Sequence, residues 1–154
     1  MMIYRELQLK DIPKLKIFIN SNSFTLPSST FILGKESGIL EKLLHSKRSK
    51  FWIIEVKGDI LGVAGIISTY DVPFNSCKLI YLNVHQRLKG LFQEDQLLQL
   101  CISSAIALGY TSLFVGCDKE HLIRFYKGKG FYSSKPPIEP NCFIQNKSWL
   151  HMKL

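Results

Sequence analysis

The stretch Ile80-Tyr81-Leu82-Asn83-Val84-His85-Gln86-Arg87-Leu88-Lys89-Gly90-Leu91-Phe92 organises the rest of this chain. It begins as an apolar strand, passes through a short basic turn, and opens into a long amphipathic segment. Gly90 lets the backbone come close to a ligand, because glycine has no Cβ. A helix starting there offers unpaired N–H groups and a partial positive charge, to which Arg87 and Lys89 add full charges. The stretch therefore indicates a phosphate-binding turn, although an ordinary strand-to-helix connection would also fit it alone.

Length and composition narrow the class of protein. The 154 residues suit one domain, which we place at 1–154, and 46% apolar with 21% charged residues is ordinary for a soluble globular chain. No apolar run approaches the roughly 20 residues needed to span a bilayer. The N-terminus lacks the basic-then-apolar layout of a signal peptide. We therefore expect a cytoplasmic protein with no membrane association.

The four cysteines, Cys77, Cys101, Cys117 and Cys142, contain no Cys-x-x-Cys pair. Their spacing supports neither a zinc site nor a disulfide framework, and each is predicted to be a buried or half-buried thiol and not a nucleophile. The formal net charge of +8 favours anionic partners such as phosphorylated cofactors, nucleic acid or acidic proteins. Nucleic acid is disfavoured, because the sequence has neither a stacked-aromatic strand motif nor a helix-turn-helix pattern.

Periodicity along the chain predicts a mixed α/β sheet that is neither a barrel nor a doubly wound parallel sheet. Strands are expected at 2–8, 51–56, 60–70, 78–84, 112–117, 131–133 and 149–154. Helices are expected from a cap at Asp11, within 37–45, from 91 to a stop at Gly109, and over 119–127 after a cap at Asp118. Lys57-Gly58-Asp59 indicates a hairpin between the second and third strands. The predicted order is β-α-α-β-β-β-α-β-α-β-β.

This order, with a basic glycine turn after the fourth strand, resembles the GCN5-related N-acetyltransferase (GNAT) superfamily. The family's Gln/Arg-x-x-Gly-x-Gly/Ala motif is similar to Arg87-Leu88-Lys89-Gly90-Leu91-Phe92. A second family motif resembles Ile123-Arg124-Phe125-Tyr126-Lys127-Gly128-Lys129-Gly130-Phe131, and Tyr4-Arg5-Glu6-Leu7-Gln8-Leu9-Lys10-Asp11-Ile12 resembles the family's first strand and helix cap. The resemblance spans the whole chain. It implies an α/β (α+β) fold with a mixed, mainly antiparallel central sheet of about seven strands flanked by about four helices.

The resemblance also implies acetyl-CoA as cosubstrate, with no metal. The cofactor-binding residues that it implies are Leu82, Asn83, Val84, Arg87, Leu88, Lys89, Gly90, Leu91, Phe92, Lys119 and Tyr126. Tyr126 matches the family tyrosine that protonates the departing CoA thiolate, so it is a predicted catalytic residue. His85 is our predicted general base. Further candidates by position are Glu55, Tyr81 and His151, with Asn83 only as a residue that positions water.

The implied function is transfer of an acetyl group from acetyl-CoA to an amine by direct attack. The alternative is a degenerate GNAT-like domain that binds CoA or a protein without turnover. It is favoured by Phe92, where the family has glycine or alanine, and by Lys119, where many members have asparagine. The acceptor, a small-molecule or peptide amine, would contact 21–35 and 134–148, which carry no recognisable motif. An exposed last strand could pair with a second copy as a homodimer.

Overall fold

A computed structural model describes residues 1–21, 38–68, 72–88, 92–134 and 148–154. The strands are β1 Met2–Glu6, β2 Lys50–Val56, β3 Asp59–Ile67, β4 Ser76–Val84, β5 Ser112–Cys117, β6 Tyr132–Ser134 and β7 Ser148–Lys153. The helices are α1 Ile12–Ser21, α2 Gly38–His45, α3 Gln93–Ala107 and α4 Glu120–Gly128, with short 3₁₀ turns at Leu9–Asp11 and Gln86–Leu88. Across the described ranges, the strands and α-helices follow the predicted order.

The seven strands form one sheet in the order β1-β2-β3-β4-β5-β7-β6. Every neighbouring pair is antiparallel except β4 and β5, which are parallel. The predicted fold class, a mixed and mainly antiparallel sheet flanked by helices, is confirmed. The predicted exposed last strand is wrong, because β7 is hydrogen-bonded to β5 on one side and to β6 on the other. A homodimer built by pairing that strand therefore has no free strand edge to use.

The predicted hairpin between β2 and β3 is present. Lys57 and Gly58 occupy the turn with φ of 51° and 84°, the left-handed conformation that a two-residue hairpin turn requires. Further along β3, a Cβ added to Gly65 would collide with the ring of Phe51 on β2. Glycine at this position therefore allows the aromatic ring to lie directly on the backbone of the neighbouring strand.

The sheet buries a different cluster on each face. On one face α3 packs across β2, β3 and β4, and we call this the α3 face. On the other face α1 packs against β3, and we call this the α1 face. The buried side chains of α3 are Leu97, Leu98, Cys101, Ser104 and Ala105, and those of α1 include Leu15 and Phe18. The two helices thus hold the central strands from both sides.

An ion-pair cluster connects β1, β2 and the start of α1. Arg5 donates two hydrogen bonds to the Asp11 carboxylate, each 2.8 Å, and its Nη2 lies 3.2 Å from Glu55 Oε1. The Gln8 N–H donates a further 2.8 Å bond to Asp11, which is only 4% exposed. Hydrogen bonds from Arg5 lower the pKa of both carboxyl groups. Asp11 precedes α1 as predicted, but its carboxylate holds this cluster together.

The structure also bears on the predicted cap of α4 and on the predicted burial of the cysteines. The cap of α4 is Lys119 and not the predicted Asp118. Cys77, Cys101 and Cys117 are buried, as predicted, while Cys142 lies outside the described residues. Within the described ranges, no helix is long and apolar enough to cross a membrane, and no group of three or more metal-ligating side chains comes together.

Candidate active-site cleft

The two parallel strands β4 and β5 pair over only part of their length. Their register runs from Ser76 opposite Ser112 to Lys78 opposite Phe114 and then stops. Residues 79–84 of β4 and 115–117 of β5 continue without pairing to one another. The backbone edges facing each other there are left without ladder partners, so the sheet opens as a cleft toward the C-terminal ends of both strands.

A β-bulge in β4 lies beside this cleft. Ile80 pairs with Gly65 and Asn83 pairs with Val63, so two residues of β4 oppose the single residue Ala64 of β3. The extra residue reverses the alternation of side chains. On the α3 face, the positions that pack in the core are Cys77 and Leu79 before the bulge, and the partly buried Leu82 and the buried Val84 after it. The sequence analysis missed the bulge, although this change from odd to even apolar positions is visible in the sequence.

The hydrogen bonds at the end of β4 determine which backbone groups face the cleft. The His85 N–H donates to the Leu61 carbonyl of β3 at 2.7 Å. Because alternate residues of an antiparallel strand direct their N–H groups to opposite edges, the Asn83 N–H also faces β3. Those of Leu82 and Val84 therefore face the cleft. Of the three residues of β4 predicted to contact a cofactor, Leu82 and Val84 direct their N–H groups to the cleft, and Asn83 directs its N–H to β3.

His85 holds the turn that follows β4. Its carbonyl accepts the Leu88 N–H at 2.8 Å, and its Nδ1 accepts the Arg87 N–H at 3.0 Å. With Nδ1 acting as acceptor, the proton of the neutral ring resides on Nε2. The Arg87 side chain is exposed and Leu88 is buried in the core. The base role of His85 stays a prediction, and it would require breaking the bond to Arg87.

The predicted phosphate-binding residues Lys89, Gly90 and Leu91 lie outside the described residues. Phe92, which follows them, is the N-cap of α3 with φ of 73° and ψ of −6°. Its carbonyl accepts the Gln96 N–H at 3.0 Å, and its side chain is 79% exposed. The left-handed backbone explains why glycine suits this position. The phenyl ring projects into solvent.

Tyr126 of α4 lies in the core on the α3 face and is 5% exposed. Its ring makes edge-to-face contacts with Phe125 and Phe131, each with centroids 5.3 Å apart. Burial, with a smaller effect of the neighbouring Cys117 thiol, raises the pKa of Tyr126 far above its usual range. The phenol therefore keeps its proton. Cys117 ends β5, so this pair lies beside the strand that borders the cleft.

The other predicted residues lie in several environments. Lys119 is exposed and its carbonyl accepts the N–H groups of Leu122 and Ile123, so it is the start of α4 just beyond β5. Glu55 is engaged by Arg5. His151 on β7 stacks on Phe114 at 4.6 Å between ring centroids, and burial lowers its pKa. The Tyr81 side chain lies outside the described part of the protein.

Comparisons with known proteins were made on sequence and on structure. Neither a protein-family model nor a curated protein matches this chain. A GNAT-family acetyltransferase from Staphylococcus aureus Mu50 superimposes with a TM-score of 0.78 at 19% identity, over 100% of this chain and 99% of that one. The chain has the GNAT fold. A GNAT-family acetyltransferase from Streptococcus pneumoniae gives a TM-score of 0.73 at 19% identity, over 100% and 99% of the two chains.

A third structure that superimposes on this chain was determined with ligands. It is the N-acetylglutamate synthase from Neisseria gonorrhoeae, in complex with coenzyme A and N-acetyl-glutamate. Its TM-score is 0.75 at 19% identity, and the match covers 100% of this chain and 35% of that one. At 19% identity, the similarity to these three structures concerns the fold alone.

Proposed function

We propose that this chain is a single-domain N-acetyltransferase that moves an acetyl group from acetyl-CoA to an amine. The observation that carries the proposal is the cleft where β4 leaves β5 beside a bulge. This cleft combines free backbone donors, a buried phenol near the end of β5, and a turn leading into the N-terminus of α3. The acceptor that we propose is the amine of a small molecule or peptide.

The described residues suit the chemistry of acetyl-CoA. The N–H groups of Leu82 and Val84 face the cleft, where an extended ligand with amide groups could add to the strand edge. Arg87 follows β4 and Lys119 follows β5, so an exposed cation lies beyond the C-terminal end of each of the two cleft strands. Both side chains suit phosphate groups. Phe92 is the N-cap of α3 in the left-handed conformation. The first N–H groups of α3 are exposed at the N-terminus of the helix, where they can bind an anion.

Acetyl-CoA supplies an acyl group activated as a thioester. In the proposed reaction, a cleft-facing N–H of β4 stabilises the charge that develops on the carbonyl oxygen when the amine attacks. The attacking amine loses a proton to water, the carbon–sulfur bond breaks and CoA leaves as the thiolate. Tyr126, whose raised pKa keeps the phenol protonated, donates a hydrogen bond to the departing sulfur. Full proton transfer from so weak an acid is less favourable than from a free tyrosine. Stabilisation of the thiolate by hydrogen bonding is therefore the main contribution of Tyr126.

Tyr126→Phe tests this role against Tyr132→Phe, a matched change of a tyrosine that is 49% exposed on β6. Acetyl-CoA affinity is measured by calorimetry, and turnover by release of the CoA thiol over a panel of amines. We expect Tyr126→Phe to lower kcat about 100-fold with little change in acetyl-CoA affinity, because the hydrogen bond that it removes is made to the thiolate developing in the transition state. Tyr132→Phe should leave both unchanged. Absence of acetyl-CoA binding by the unmodified chain would refute the proposal.

The second candidate is a domain that binds CoA without turnover. It is favoured by the 5% exposure of Tyr126, which leaves the phenol little access to a reacting sulfur. Micromolar binding of acetyl-CoA with no thiol release for any amine would support it. Arg87→Glu locates the binding in either case and should weaken it at least about tenfold through phosphate repulsion. Lys153→Ala, beside the start of β5 at the other end of the cleft strands, is its control.

A further inference from the structure

A separate cavity lies on the α1 face, between α1 and the first residues of β3. Its volume is about 310 Å³, and its lining side chains are Lys14, Ile17, Phe18, Asp59, Ile60, Leu61 and His85. This is near the lower end of the size range of small-molecule sites in proteins, about 300–1,000 Å³. Only the His85 side chain is shared with the cleft region. The Leu61 carbonyl accepts the His85 N–H and Phe18 packs in the core of the α1 face, but no functional role described above uses the other six side chains.

Two opposite charges line this cavity without neutralising each other. The Lys14 ammonium donates to the Gly58 carbonyl and retains two further N–H groups. Asp59 is exposed and makes no ion pair within 4.0 Å of Lys14 or of any other described cation. A ligand with a negative group and a positive group would satisfy both side chains at once. A ligand with a single charge would pair with only one of the two side chains, Lys14 or Asp59.

The floor between these charges is apolar. Phe18, Ile60 and Leu61 are 3%, 5% and 8% exposed. They belong to the core and give the cavity an apolar surface. His85 adds a hydrogen-bond donor, because its Nδ1 accepts the Arg87 N–H and its proton therefore resides on Nε2. The lining thus offers two donor groups, one carboxylate and an apolar surface.

We propose that this cavity binds a free α-amino acid with an apolar side chain. The carboxylate of the ligand pairs with Lys14 and the His85 Nε2–H, its ammonium group pairs with Asp59, and its side chain lies over Phe18 and Ile60. The binding does not depend on acetyl transfer. A ligand there contacts the imidazole that holds the turn before α3, so the amino-acid site and the cleft share one residue.

Calorimetric titration of the full chain at pH 7 tests the proposal, with L-leucine as the probe. Two analogues each lack one charge: 3-methylbutylamine lacks the carboxylate and 4-methylpentanoate lacks the amine. We expect leucine to bind and both analogues to bind at least about tenfold more weakly, because each leaves one charged side chain unpaired. Equal binding of leucine and either analogue, or no binding of leucine up to its solubility, would overturn the proposal.

Variants place the binding in this cavity. Lys14→Met and Asp59→Asn should each weaken leucine binding about tenfold, and both positions are exposed, so the fold should tolerate them. Lys16→Met is the control, because Lys16 belongs to the same helix but does not line the cavity. Circular dichroism checks that each variant is folded. Unchanged affinity in Asp59→Asn, or an equal loss in Lys16→Met, contradicts the assignment.

Discussion

Arg5→Met removes the cation that holds β1, β2 and the start of α1 together. The change keeps the apolar stem of the side chain but leaves Asp11, which is 4% exposed, as a buried carboxylate with no cation of the described residues within 4.0 Å. Breaking a buried ion pair by removing one partner typically costs about 3–5 kcal/mol. We expect a loss of this size in the free energy of unfolding at pH 7. That is a large fraction of the total for a typical domain, about 5–15 kcal/mol.

The pH dependence gives this prediction its sign. In the unmodified chain Arg5 lowers the pKa of Asp11 below its ordinary value of 3.8, so the ion pair stabilises the fold above that pH and is lost as the pH falls through the lowered value. In Arg5→Met the largest remaining influence on the Asp11 pKa is burial, which raises it, while the Gln8 N–H and Lys10 still lower it. Acidification then protonates Asp11 in the variant, which removes the cost of burying its unpaired negative charge. The difference in stability between the two proteins should therefore shrink from pH 7 to pH 4.

Urea unfolding followed by tryptophan fluorescence at pH 7, 5.5 and 4 measures this difference. Arg5→Met/Asp11→Leu removes both partners and should recover much of the loss at pH 7, since no buried charge is left unpaired. Glu6→Gln breaks the exposed ion pair between Glu6 and Lys50 and should cost less than about 1 kcal/mol. A loss in Arg5→Met that is as small as in Glu6→Gln, or that does not vary with pH, would refute the reasoning.

Three further predictions concern backbone conformation and thiol burial. Phe92→Gly should raise the free energy of unfolding by about 0.5–1 kcal/mol in urea, because glycine removes the cost of a left-handed backbone at φ of 73°. Gly65→Ala should lower it by about 1–3 kcal/mol, because the added methyl group collides with the buried ring that packs on this position. Native protein at pH 8 should release at most one equivalent of thionitrobenzoate from Ellman's reagent, from Cys142, because burial raises the pKa of Cys77 to about 12 and the other two described thiols are also buried.

Each of these predictions has a matched control. Phe92→Ala removes the same ring but keeps a Cβ in the left-handed conformation, so a stabilisation equal to that of Phe92→Gly would mean that backbone strain is not the cause. Gly128→Ala adds a methyl group with no atom within 4 Å and should not destabilise the fold. Denaturation should expose all four cysteines to Ellman's reagent, and two or more reactive thiols in the native protein would contradict their burial.

Local patterns in the sequence determined most of the elements. The turn at Lys57 and Gly58 predicted its hairpin, the apolar run at Ser112–Cys117 predicted β5 with its observed bounds, and Gly109, with φ of 88°, follows the end of α3. These features depend on conformational preferences of residues adjacent in the chain, which the sequence displays directly. The family motifs added the fold class, because their order and separation matched a known arrangement of strands.

The features that make the cleft depend on partners distant in the chain. The sequence by itself could not show that β4 stops pairing with β5 at Lys78, or that the Leu82 and Val84 N–H groups face the opening, because both facts follow from which strands become neighbours. The Arg5–Glu55 contact joins residues 50 positions apart, and the place of β7 inside the sheet is set by its pairing with β5. Local preferences thus determined the elements of this protein, and only long-range packing, which closes loops between distant residues, decided its sheet edges, ion pairs and cleft.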